Sequence, residues 1–138
     1  MALQLGKSGP GLAAEGELSL SPGVVLGVGF HWGRFTPLAP TAHLAFDHLL
    51  SARFHLRAGL RAYSFSESSG SWSCERCVFL VPEIGGRFVG HSGFVVEFGI
   101  PVARLNVTRL ADGQAGAFAI DGDNMFLASI LVGFSHQY

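Results

Sequence analysis

Val24-Val25-Leu26-Gly27-Val28-Gly29-Phe30-His31-Trp32-Gly33 decides how this chain is read. Val24, Leu26, Val28, Phe30 and Trp32 are bulky and apolar, whereas the residues between them are mostly small or polar. A strand sends alternate side chains to opposite faces, so the stretch predicts a strand with one hydrocarbon face and one narrow face. Strictly alternating Gly and large apolar residues do not suit a helix, whose apolar face repeats every three to four positions.

The same alternation extends on both sides. Ala2–Lys7 alternates weakly, and Leu12–Leu20 sets Leu18 and Leu20 against Glu15 and Glu17. Thr41–His48 sets Leu44 and Phe46 against His43 and Asp47. Phe54–Phe65 sets Phe54, Leu56 and Leu60 against His55, Arg57, Arg61 and Tyr63. Cys77–Val89, Phe94–Val107 and Met125–Tyr138 continue the pattern, with Glu83, Arg87 and Glu97 on the narrow face and Phe98 and Phe134 on the hydrocarbon face. Eight strands are expected in one domain, joined by short turns at Ser21–Gly23, Leu49–Arg53 and Gly90–Gly93. Longer connections fall at Phe35–Pro40, Ser66–Arg76 and Thr108–Asn124. Pro82 and Pro101 fall inside strands and call for a bulge or a strand end. Arg104 falls on the hydrocarbon face by parity.

Composition narrows the class. Charged residues make up 14% of the chain, against roughly 25% in ordinary soluble domains. Lys7 is the single lysine, although water-facing sheets usually carry several. A net charge of -1 gives no strong pull toward nucleic acid, and no nucleic-acid partner is expected. No apolar run is long enough for a transmembrane helix. The segment after Met1 lacks a basic stretch followed by an apolar one, so no signal peptide is expected in it; if the protein is exported, the sequence is its mature part behind a start Met.

Bulk, glycine content and charge indicate which face is enclosed. Phe30, Trp32, Phe46, Phe54, Phe88, Phe94, Phe98, Phe126 and Phe134 are too bulky for the interior of an eight-stranded barrel, which side chains only just fill. Gly27, Gly29, Gly59, Gly85, Gly99 and Gly133 suit a cramped interior. Glu15, Glu17, Asp47, Glu83 and Glu97 can pair there with Arg57, Arg61 and Arg87. The expected fold is therefore all-β: a closed antiparallel up-and-down transmembrane barrel of eight strands. Its lumen set is Glu15, Glu17, His31, Asp47, Arg57, Arg61, Glu83, Arg87 and Glu97. Val24, Leu26, Val28, Phe30, Trp32, Phe46, Phe98 and Phe134 face lipid. A soluble barrel or sandwich binding an apolar ligand is the alternative.

The pattern resembles the small eight-stranded outer-membrane β-barrel proteins of Gram-negative bacteria. Phe126–Tyr138 resembles their C-terminal assembly signal, with Tyr138 in place of the usual Phe and His136 at an apolar position. Phe79–Phe88 is similar to the Pro-containing strand of a broad outer-membrane barrel domain family. The resemblance implies residence in the outer membrane, insertion by the barrel-assembly machinery, and a monomeric barrel without an open pore.

Other candidate sites have plainer readings. The lumen charges could form a proton or ion path, but a salt-bridged plug is favoured. Cys74-Glu75-Arg76-Cys77 could be redox-active or half a zinc site, but a local disulfide is expected for an exported loop. Asp121-Gly122-Asp123-Asn124, with Asp112 nearby, resembles the start of a calcium loop but lacks the closing Glu. His91-Ser92 and Ser135-His136 invite a lipid-modifying hydrolase reading. Neighbours along a strand point oppositely and cannot act on each other, so no catalytic residue is expected. His43 and His55 face inward and could pair, and Trp32, Tyr63, Trp72 and Tyr138 suit interfacial aromatic positions. No cofactor or metal is expected. Partners are membrane lipid, the assembly machinery, and a protein partner at Ser66–Arg76 and Thr108–Asn124.

Overall fold

The computed structural model describes residues 2–4, 11–33, 39–69, 71–120 and 129–134; within these strands it leaves out the side chains of 2–4, 11–14, 31–33, 65, 69 and 129–134. Among the described residues the chain is all-β apart from one short helix. The strands are β1 (Ala2–Gln4), β2 (Gly11–Ser21), β3 (Val24–Gly33), β4 (Ala39–Leu49), β5 (Phe54–Ser69), β6 (Trp72–Val89) and β7 (Phe94–Pro101). They continue with β8 (Arg104–Asn106), α1 (Val107–Ala111), β9 (Phe118–Ala119) and β10 (Ser129–Phe134). The strands form one sheet in the order β5-β4-β3-β2-β1-β10-β7-β6-β8-β9, and β5 also pairs with β6. Every pairing described is antiparallel.

The predicted short turns are present. Pro22-Gly23 joins β2 to β3, with Gly23 at φ 77°, a left-handed conformation that glycine adopts without the Cβ penalty. The Gly23 carbonyl then accepts a hydrogen bond from Asp47 N at 2.8 Å, tying this turn to β4.

Two connections and one strand differ from the sequence reading. Ser66–Arg76 is not a loop: β5 runs on to Ser69 and β6 starts at Trp72, with Ser69 opposite Trp72 and Glu67 opposite Cys74. Serine-rich polar sequence masked the strand because both faces of this ribbon lack the hydrocarbon alternation that signals one. Thr108–Asn124 is also not a plain loop, since it contains most of α1 and all of β9. Asn106 caps α1, its side chain accepting from Arg109 N at 2.9 Å, as an N-cap Asn does.

The third difference is a bulge. Glu83 is opposite Pro101, but Phe79 is opposite Asn106, so the register slips by one residue between β7 and β8. A one-residue slip reverses the face of every following side chain. Arg104 therefore leaves the hydrocarbon face: its guanidinium stacks 5.3 Å from the ring centroid of buried Phe79 and lies 3.6 Å from Glu67. The bulge also accommodates both prolines. Pro101 ends β7, and the Pro82 carbonyl accepts from Val102 N at 2.9 Å. N and O of one strand residue point to the same side, so the missing N–H of Pro82 faces the irregular step.

Burial is inverted relative to a water-soluble sheet. Leu18, Val28 and Phe46 are 64%, 61% and 59% exposed, whereas Arg61, His43 and Glu97 are 2%, 4% and 5% exposed. Leu26, Phe30 and Phe98 of the predicted hydrocarbon set are exposed and Val24 is half-buried; the side chains of Trp32 and Phe134 lie outside the described residues. A smaller apolar cluster of Tyr63, Cys77, Phe79 and Val81, packed by Trp72 and Cys74, sits on the buried face toward the β5–β6 ribbon.

Candidate functional site

The buried face gathers charges from five strands. Glu15 and Glu17 come from β2, His43 and Asp47 from β4, Arg57 and Arg61 from β5, Glu83 and Arg87 from β6, and Glu97 from β7. Residues two apart on a strand share a face, and this spacing delivers all of them to one side. Arg61 Nε donates to Glu83 Oε2 at 3.0 Å while its Nη1 contacts Glu15, and the Tyr63 hydroxyl donates to Glu83 Oε1 at 3.2 Å. Arg57 donates to Glu17 at 2.7 Å and contacts Glu97. Its Nε lies 3.0 Å from Asp47 as an ion pair without hydrogen-bond alignment. Arg87 donates to Glu97 at 2.8 and 3.1 Å, contacts Glu17, and lies 3.6 Å from Asp47.

His43 joins the two halves of this network. Its Nε2 is 3.0 Å from Glu17 and its Nδ1 is 3.8 Å from Glu15. The ring lies over Gly27, its register partner on β3, where a Cβ would collide with the imidazole. Buried ion pairs hold only when their remaining donors and acceptors are satisfied, and the mutual pairing here does that for most atoms. Thr41 Oγ1, His43 Nδ1, Asp47 Oδ1, Arg57 Nε and Arg57 Nη1 are buried without a hydrogen-bond partner, the last three being held by ion pairing alone. A cavity of about 20 Å³ bounded by His43, Arg57, Arg61, Glu83 and Glu97 leaves room for about one water.

Eight residues of the predicted lumen set thus meet in one connected network, and the ninth, His31, has its side chain outside the described residues. His43 does not pair with His55; it bonds Glu17 and lies 3.8 Å from Glu15 instead. Tyr63 and Trp72 are not in an outer aromatic belt. Tyr63 is buried in the network, and Trp72 packs on the apolar cluster with Arg109 5.0 Å from its ring centroid. The alternation of Thr41–His48 put Thr41 on the narrow face, where it is buried, but sequence reasoning missed Phe79 and Val81 as buried-face residues. Their odd-numbered parity was the available signal, obscured because Phe79 and Val81 are themselves bulky and apolar.

Cys74 and Cys77, three residues apart on β6, are joined as a local disulfide near the β5–β6 ribbon end. His91 and Ser92 occupy the exposed turn between β6 and β7. Asp121–Asn124 and Ser135-His136 lie outside the described residues. Among the described residues no group of three or more His, Cys, Asp or Glu side chains is placed to hold a metal, and no helix is long and apolar enough to cross a membrane. Comparison with known proteins finds no matching family model, no matching curated protein and no matching solved structure.

Proposed function

We propose that the chain is a closed eight-stranded barrel spanning the bacterial outer membrane, with lipid against its exposed hydrocarbon face and the ion-pair network as a plug in its lumen. The inverted burial carries this reading. A sheet that exposes Leu18, Val28 and Phe46 while burying Arg57, Arg61 and Glu97 is matched to a hydrocarbon surround and a polar interior.

The pairings support closure. They run from β5 through β4, β3, β2, β1, β10 and β7 to β6, and β6 pairs back to β5. β8 prolongs the stave of β7 along β6, and β9 pairs with β8 on its far side, so ten segments fit eight staves. In a barrel closed this way β2 and β6 would be four steps apart in either direction. A flat sheet would separate them by about 19 Å at the usual strand spacing, yet Glu17 on β2 contacts Arg87 on β6.

The role that fits is structural, or recognition of a surface partner, with no catalytic step. The β5–β6 ribbon and the β8–α1–β9 segment stand on one rigid end of the sheet, where recognition residues are commonly placed. Membrane lipid and, during insertion, the barrel-assembly machinery are the implied partners. Membrane fractionation and an unheated denaturing gel test the reading. The chain should require detergent and migrate differently before and after boiling; a chain that stays in solution without detergent and migrates identically overturns it.

A further inference from the structure

We propose that Arg53, braced by His91, binds the phosphate of an anionic glycerophospholipid headgroup at the membrane surface; this rests on the membrane-spanning reading above. Arg53 closes the β4–β5 turn and His91 lies in the β6–β7 turn. The two turns are adjacent because the Arg53 carbonyl accepts from Val89 N at 2.8 Å. The guanidinium contacts the His91 ring, with Nδ1 at 3.4 Å, and both residues are exposed. Among the described residues no ion pair involves Arg53, so its remaining N–H donors have no carboxylate to meet.

The surroundings select a lipid phosphate over a soluble anion. Leu49 and Leu50, just before Arg53, are 58% and 57% exposed, which places hydrocarbon beside the cation. That pairing fits the boundary between acyl chains and headgroups, where an arginine stem lies along apolar matter with its head in the polar layer. A guanidinium offers a planar fork to two phosphate oxygens, and the imidazole holds the fork in place. Charge favours this end of the sheet. The turns 22–23, 50–53 and 90–93 contain no Asp or Glu, whereas Glu75 and Asp112 are exposed at the opposite end.

The test reconstitutes the wild-type chain, R53Q, R53K and H91A into vesicles of mixed phosphatidylglycerol and phosphatidylcholine. The lipid retained after detergent extraction is then measured by mass spectrometry. Wild type should retain phosphatidylglycerol over phosphatidylcholine by about fivefold, the worth of one basic side chain at an anionic surface. R53Q should lose the preference, R53K should keep part of it because charge survives without the fork, and H91A should weaken it. No preference in wild type, or an unchanged preference in R53Q, overturns the proposal. So does complete displacement of lipid by inorganic phosphate, which would make the site one for a free anion. If every variant keeps its heat-dependent gel shift while the preference is absent, the headgroup site fails and the barrel stands. If wild type does not enter vesicles at all, both fail.

Discussion

Glu17 is the residue on which the network turns. His43 and Arg57 approach it at 3.0 and 2.7 Å, and Arg87 contacts its second oxygen. Glu17 keeps partial solvent contact, but removing it leaves buried donors of Arg57 and His43 without this acceptor, which costs about 1–3 kcal/mol. Glu17→Ala is therefore expected to lower unfolding stability by that amount, read from the urea midpoint of the reconstituted protein by tryptophan fluorescence. Gly27 is the second pivotal residue, because its lack of a side chain gives the His43 ring its place. Gly27→Val should cost about 1–3 kcal/mol by overpacking in the same assay. The alternation of the sequence put Glu17 and Gly27 on the same face, but nothing in it ranked Glu17 above Glu15 as the meeting point. That depends on which guanidiniums arrive from β5 and β6.

Single elements carry the departures from simple alternation. The bulge between β7 and β8 moves Arg104 from the hydrocarbon face to Phe79 and Glu67, and the sequence around it reads as one uninterrupted strand. The bulge forms where Pro82 and Pro101 cannot donate, so the prolines were the visible sign of it and Arg104 the consequence. In α1, Asn106 satisfies the Arg109 amide and also donates to Glu67 at 2.5 Å. Loss of an N-cap side chain costs about 1 kcal/mol. Asn106→Ala should accordingly speed hydrogen exchange of the Arg109 amide about fivefold. In the β5–β6 ribbon, the Cys74–Cys77 bond predicts that the denatured chain takes up no thiol-alkylating reagent until it is reduced, after which mass spectrometry should show both cysteines labelled.

At the scale of the whole molecule, the exposed hydrocarbon face separates a membrane barrel from a soluble sheet by energy. Ile84 is 52% exposed on β6, five residues before its end at Val89 and so about midway through a nine- to eleven-residue span, opposite Ala58 and Ile100. Surface substitutions in a water-soluble protein usually shift stability by about 0.5 kcal/mol or less. An arginine at mid-membrane depth on a lipid-facing strand costs about 2–4 kcal/mol. Ile84→Arg should show the larger loss in vesicles, again by urea unfolding, and a negligible change would argue for water on that face.

The sequence by itself determined that the chain is strands, where most of them lie, and which residues share a face, because strand periodicity is local and needs no partner. It also indicated which face is buried, through the contrast of phenylalanine bulk with glycine and paired charge. Only the tertiary structure decided that β2 meets β5 and β6 through Glu15 and Glu17. It likewise decided that Phe79 and Val81 fill the buried face beside Tyr63, and that Arg104 turns inward. Those outcomes depend on register, curvature and one inserted residue, which arise from contacts between segments far apart in the chain and leave no mark on the spacing within any one of them.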